Sequence, residues 1–289
     1  MNASAAAELP EGRSVELSGR GTTFVREAGD PAAPALLLLH GWTATADLSW
    51  RGTFPALAAR FHVLALDHRG HARGIRADGR FRLEECADDA AALVEALGID
   101  RVVPVGYSMG GPVAQLLWRR HPELVEGLVL CATSRTFNGT PRERAMFGLL
   151  SGASMTARRL PPDRRAALAM KLMARRHVDT DAWAWASEAI ASHDWLAIIE
   201  AGREIGRFDS RPWAGDIDVP TAVVVTTRDR VVPPARQYEL AAAIPGASVH
   251  PIAGDHAVCL AQCDELVPAL VAAVDSVVAR ARRADLLAA

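Results

Sequence analysis

The feature that most constrains this chain is a repeated alternation of short aliphatic runs with longer amphipathic stretches. Residues 35–40 are apolar at every position up to the closing His40, and Gly41 follows. An unbroken run of this kind suits a strand buried on both faces of a parallel sheet, because a half-exposed strand would alternate polar with apolar. Residues 62–67, 101–106, 126–132, 221–227 and 248–252 read as further strands, with 15–17 and 22–25 as an early pair around a turn at 18–21. Helices are expected over 49–60, 83–97, 109–120, 234–244 and 264–287. Gly98 supplies a stop after the second of these, and Pro122 prevents the third from continuing. Strands alternating with helices predict an α/β fold with a mostly parallel sheet.

The rhythm breaks after Ser134. Residues 135–213 hold no convincing strand, only helical segments rich in Arg, Met and Trp. A loop of that length inside a compact domain must carry its own structure. The expected organisation is therefore a core built from residues 1–134 and 214–289, with residues 135–213 inserted as a helical cap at one edge of the sheet.

Composition narrows the function classes. At 289 residues, 50% of them hydrophobic, the chain can bury a large core. Its 32 basic residues are balanced by 34 acidic ones, so no electrostatic case exists for a nucleic-acid or anionic-membrane partner. The longest aliphatic run, Leu36 to Leu39, is far too short to span a bilayer, and residues 1–12 lack the basic start and apolar stretch of a signal peptide. A soluble cytoplasmic protein acting on a small molecule is expected. The four cysteines, Cys86, Cys131, Cys259 and Cys263, are too few for a disulfide scaffold and read as reduced, mostly buried thiols. Cys259 and Cys263 lie one helical turn apart, without a second pair to complete a zinc site.

The chemistry concentrates at strand ends. Gly106-Tyr107-Ser108-Met109-Gly110 falls where a strand must turn sharply into a helix. Small residues two positions either side of Ser108 let the flanking segments approach while the turn lifts the hydroxyl above the carboxyl ends of the strands. The same turn aims the backbone N–H of Met109 and the helix N-terminus at a developing oxyanion. His40-Gly41-Trp42 follows an earlier strand, where the N–H of Trp42 offers a second donor. Asp229 lies just past the strand over 221–227, and His256 follows the strand over 248–252. Ser108, Asp229 and His256, in that chain order, thus all fall on one rim of one sheet. Asp216 and Asp218 precede their strand and lie at its opposite end, while Asp255 adjoins the histidine and should point elsewhere. His40 is expected near the substrate or orienting the oxyanion loop; His62, His68, His71, His121, His177 and His193 read as surface or core residues.

On His40-Gly41-Trp42, the loop Asp67-His68-Arg69-Gly70, the elbow at 106–110, Asp229 and His256, the sequence resembles the α/β-hydrolase fold superfamily, in its capped, single-domain bacterial form. Where that family usually continues with another glycine-rich step, this chain reads His71-Ala72-Arg73-Gly74. The resemblance implies an eight-stranded sheet with an inserted helical cap. It also implies a serine hydrolase that cleaves an ester, thioester or lactone of a small, largely apolar substrate through an acyl-enzyme. Neither a metal nor an organic cofactor is implied. Serine at position 108 argues against the epoxide-hydrolase and haloalkane-dehalogenase relatives, whose chemistry needs a carboxylate there. Carbon–carbon hydrolysis, cofactor-free perhydrolase chemistry, biosynthetic cyclase or thioesterase action, and a receptor that binds without turning over remain open on the same three residues. Tyr107, Trp183 and Trp185 are expected to join His40 in meeting the substrate. Trp195, Trp213, Met146, Met155, Met170 and Met173 fall in the same inserted region, where packing between cap helices competes with lining an acyl pocket. The arginine pairs at 158–159, 164–165 and 175–176 read as solvated helix faces.

Overall fold

The computed structural model describes residues 8–76, 79–174, 187–261 and 263–288. Trp183, Trp185, His177, Arg175 and Arg176 lie outside them. The aliphatic runs form one eight-stranded sheet in the order β1-β2-β4-β3-β5-β6-β7-β8. Strands β1 (Gly12–Leu17) and β2 (Gly21–Ala28) are antiparallel to each other, and β2 is antiparallel to β4 (His62–Leu66). From β4 onward all pairing is parallel, through β3 (Ala35–Leu39), β5 (Val103–Tyr107), β6 (Leu128–Cys131), β7 (Thr221–Thr226) and β8 (Ser248–Ile252). Leu39 is in register with Leu66 on one side and Gly106 on the other, which brings the carboxyl ends of the central strands to one rim.

The unbroken apolar run of β3 is explained by its two covered faces. Leu37 and Leu39 belong to one hydrophobic cluster with residues of α3 (Leu83–Ala96) and α4 (Gly110–Arg120). Leu36 and Leu38 belong to another with α1 (Ala46–Trp50), α2 (Phe54–Ala58) and the C-terminal helix. All four leucines are fully buried, and burial of each contributes on the order of 2 kcal/mol. The single helix expected over 49–60 is instead the separate α1 and α2. Pro55, which has no N–H to donate, sits in the first turn of α2, where a preceding helix cannot run through it.

Between β6 and β7 the described chain is mainly helical: α5 (Pro141–Ala157), α6 (Pro162–Ala174), a helical stretch at 187–191 and α7 (Trp195–Arg207). Thr140 and Glu143 close a reciprocal cap at the start of α5, and the Asp194 carboxylate caps α7 through the N–H groups of Leu196 and Ala197. This region shares its apolar interior with the sheet, since Phe147, Ala201, Ile205 and Phe208 join the cluster that contains Leu37, Val113 and Leu117. Trp213 stacks on Trp118, with ring centroids 6.4 Å apart, so it is a packing residue. Met146 and Met155 are exposed. Arg158, read as part of a solvated face, pairs with the buried Glu200, whose other oxygen accepts the Phe81 N–H at 2.9 Å. Burying a carboxylate requires such partners, and the spacing of the arginines gave no sign of it.

After β7 come α8 (Pro234–Ala243), β8, α9 (Val258–Ala261) and α10 (Cys263–Ala288). All four cysteines are free, three of them buried. Among the described residues no helix is long and apolar enough to cross a membrane.

Candidate active site

Strand β5 ends at Tyr107 and α4 begins at Gly110, so Ser108 occupies the turn between them with φ 52°. A left-handed conformation at a non-glycine residue costs about 1–3 kcal/mol and persists only where the surroundings hold it. They hold it here through three bonds: the Ser108 N–H donates to the Cys131 carbonyl at 2.9 Å, and its own carbonyl accepts from Gly111 N–H at 3.0 Å and Thr133 Oγ1 at 2.8 Å. The flanking glycines are sterically required. A Cβ on Gly106 would run into the carbonyl of Gly110, and one on Gly110 into that of Leu39.

Asp229 follows β7 in the turn that leads to α8. Its Oδ1 accepts the N–H groups of Val231 at 2.8 Å and Val232 at 2.9 Å, while Oδ2 accepts the Thr226 hydroxyl at 2.8 Å. Burial opposes ionisation of this carboxyl, but His256 beside it and these donors outweigh burial and hold it below the usual carboxylate range. His256, in the loop after β8, completes a continuous line: Nδ1 lies 2.7 Å from Asp229 Oδ2, and Nε2 lies 2.9 Å from Ser108 Oγ. An ionised carboxylate only accepts, so the ring proton sits on Nδ1 and Nε2 is left to accept the serine hydroxyl proton. The rival carboxylates are elsewhere. Asp218 accepts the Trp118 indole N–H at 3.1 Å, and Asp255 caps the N–H of Ala257 at 2.8 Å.

The loop after β3 passes directly over the serine: a Cβ placed on Gly41 would lie 3.4 Å from Ser108 Cβ. Trp42 is the next residue, and Met109 opens α4 directly after the serine. The two residues expected to touch substrate that the structure describes have other tasks. His40 is wholly buried; its Nδ1 bonds the Gly41 carbonyl at 2.8 Å and its Nε2 accepts the His68 N–H at 2.9 Å, leaving no polar atom for a ligand. Tyr107 is buried too, and its hydroxyl donates to the His256 carbonyl at 2.9 Å. Trp183 and Trp185 lie outside the described residues.

His68, His71 and His193, read as surface or core residues, are buried and gather with His40 beside this loop. The ring of His40 is 4.3 Å from that of His68 and 5.1 Å from that of His71, and His71 is 5.3 Å from His193. Burial is the main reason all four resist protonation, pushing His68 down to about 3 and His193 to about 4, with His40 and His71 also held well below the usual imidazole range. The neighbours of the 67–74 loop in the sequence were the only signal of this cluster; His193 carried none. Among the described residues no group of His, Cys, Asp and Glu is arranged to hold a metal ion.

Residues 34–261 match the model of the alpha/beta hydrolase fold family. The putative carbamate hydrolase RutD of Serratia proteamaculans is 27% identical over 250 residues, covering 78% of this chain and 85% of that protein. Epoxide hydrolase B of Mycobacterium tuberculosis is 34% identical over 119 residues, 39% of this chain and 33% of that protein. Among solved structures, the enol-lactonase from Burkholderia xenovorans LB400 has a TM-score of 0.74 at 25% identity, covering 91% of this chain and 100% of that one. The strand order, the strained elbow at Ser108 and the match over residues 34–261 lead to one conclusion: the chain belongs to the alpha/beta hydrolase fold family.

Proposed function

We propose that this chain is a serine hydrolase cleaving an ester, thioester or lactone of a small, largely apolar substrate through an acyl-enzyme. The observation that carries the reading is the unbroken line from Ser108 Oγ through the two nitrogens of His256 to Asp229, at 2.9 and 2.7 Å. His256 Nε2 takes the hydroxyl proton as Oγ forms its bond to the carbonyl carbon, and the carbonyl electron pair moves onto oxygen. Asp229 keeps the proton on Nδ1 and stabilises the imidazolium. The N–H groups of Met109 and Trp42 face the oxyanion, each contributing about 3 kcal/mol in the transition state. Collapse breaks the bond to the leaving group, which takes the proton from His256; water then repeats the sequence and frees Ser108. The indole of Trp42, packed with Leu150 against Gly202 of α7, supplies apolar surface beside this centre. The names of the relatives cover carbamate and lactone substrates, both of which present a carbonyl to such a nucleophile.

A fluorophosphonate probe should label the protein, and peptide mapping should place the adduct on Ser108. Ser108→Ala should abolish labelling and lower the hydrolysis of p-nitrophenyl butyrate by about 10⁴-fold or more. Labelling that survives the substitution would falsify the assignment.

A further inference from the structure

His193 sits at the junction between the inserted helices and the catalytic rim. It immediately precedes the Asp194 cap of α7 and is 6% exposed. Each of its ring nitrogens meets a backbone group of a different loop: Nδ1 accepts the Ala72 N–H at 2.8 Å, and Nε2 faces the Thr43 carbonyl at 3.2 Å. An amide N–H only donates and a carbonyl only accepts, so this imidazole is neutral and carries its proton on Nε2. His40 makes the complementary arrangement, donating from Nδ1 to Gly41 and accepting from His68 N–H at Nε2. The two rings therefore grip the carbonyls of Gly41 and Thr43, the residues on either side of Trp42. A third tether comes from α7, where the Ile198 carbonyl accepts the Trp42 indole N–H at 2.8 Å.

Both loop positions gripped by His193 are strained. Thr43 has φ 61° and Ala72 has φ 37°, two of the four left-handed non-glycine residues among those described; Ser108 itself is a third. Such conformations persist where bonds from outside the loop determine them. The donor that matters, the Trp42 N–H, shares its peptide plane with the Gly41 carbonyl that His40 holds, and the Thr43 carbonyl that His193 holds lies two peptide planes further along the same loop.

We propose that His193 is a positioning residue for the oxyanion loop, coupling the seating of the inserted helices to the direction of the Trp42 N–H. The inference rests on the serine-hydrolase reading above. It predicts that catalytic competence depends on α7 being docked, because the Thr43 clamp and the indole tether both leave with it. The groups facing the ring are His40, His71, Arg76, Arg165 and Asp194. Arg76 reinforces the same junction by donating to the carbonyls of Ala72 and Ser192. Burial, and the Arg76 guanidinium beside it, keep the ring in the neutral form that the clamp needs.

The test compares two substitutions by fluorophosphonate inactivation. His193→Gln offers one donor and one acceptor on an arm long enough to span both partners. His193→Asn reaches the Ala72 N–H but is too short for the Thr43 carbonyl. The Gln variant should keep the maximal inactivation rate within about threefold of the unsubstituted protein, while the Asn variant loses at least about tenfold with little change in half-saturating probe concentration. Equal rates in the two variants, or a loss confined to half-saturation, would overturn the proposal. Should the Asn variant not fold, Trp42→Phe, which removes the indole tether and keeps the ring, must slow inactivation severalfold; an unchanged rate overturns the coupling. If the unsubstituted protein is not labelled at Ser108 at all, the serine-hydrolase reading itself falls, and this inference with it.

Discussion

The two sides of the catalytic rim are held by different means. Ser108, Asp229 and His256 stand on turns that follow three parallel strands: the Ser108 N–H donates to the Cys131 carbonyl of β6, the Asp229 N–H to the Thr226 carbonyl of β7, and the His256 carbonyl accepts the Tyr107 hydroxyl at the end of β5. The loop at 40–44 stands on the first of the central strands but is clamped by side chains: His40 from its own base, His193 and the indole bond from the inserted region. The first side inherits its geometry from sheet register. The second depends on residues distant in sequence and on four imidazoles that must stay uncharged. On the proposed reading, a nucleophile relay held by the strands works beside an oxyanion loop that the inserted helices help to hold.

The sharpest way to separate the two sides is to disturb the relay without touching its shape. Asp229→Asn keeps the volume and the bonds from Val231 and Val232, yet presents an NH₂ group that competes for the His256 Nδ1 proton position. The ring then turns to the tautomer that points a hydrogen at Ser108. Turnover of p-nitrophenyl butyrate should fall by about 10⁴-fold with KM little changed, as when the carboxylate of such a triad is neutralised elsewhere. A loss below tenfold would show that the loop, not the relay, dominates the barrier.

The unequal legibility of the two sides in the sequence has the same origin. The elbow needs glycines at fixed offsets from Ser108, and the aliphatic run of β3 announces a strand with two covered faces, so fold and relay follow from local pattern. Asp229 separates from Asp216 and Asp218 because strand direction decides which end of β7 each occupies, and from Asp255 because that residue adjoins His256 and points elsewhere. Nothing local distinguishes His193 from a surface histidine: its partners are Thr43 and Ala72, and only tertiary packing brings them together. The departure at Ala72 from the usual glycine-rich step was the one visible sign, since its φ of 37° is a conformation that glycine adopts without strain. His40 takes the loop-orienting alternative that the sequence left open, and the Tyr107 hydroxyl turns to backbone rather than to the cleft, for a related reason. Proximity to the nucleophile in sequence says nothing about whether a polar side chain faces the cleft or the backbone behind it.

Acid should expose the difference in charge between the two sides. Unfolded imidazoles bind protons near pH 6.5, whereas native His68 and His193 stay neutral to about 3 and about 4. Between those limits the unfolded state carries more protons, so stability must fall as pH falls. For His68 alone the loss at pH 5 is roughly 2 kcal/mol, from about 1.4 kcal/mol per pH unit below 6.5. His68→Leu isolates the effect, because neither nitrogen of that ring has a hydrogen-bond partner and its backbone N–H still meets His40. Urea midpoints measured from pH 7 to pH 5 should fall less steeply in this variant, by about one proton's worth of slope. Identical slopes would mean that the cluster takes up protons in the native state, and the loop's dependence on neutral imidazoles would have to be abandoned.

The smallest expected effect discriminates most finely between positioning and substrate contact. Tyr107→Phe removes only the hydroxyl that donates to the His256 carbonyl, leaving the ring packed 5.8 Å from His256 and 6.2 Å from Trp50. A neutral hydrogen bond of this kind contributes about 1 kcal/mol net, which bounds the kinetic change at about fivefold. If Tyr107 steadies the loop that carries the general base, that factor appears in kcat, and KM stays constant across short and long p-nitrophenyl esters. A substrate contact would instead raise KM, by an amount that varies with acyl length. The hydroxyl faces backbone and the residue is 3% exposed, so the change belongs in kcat, on the side of the rim that the strands hold.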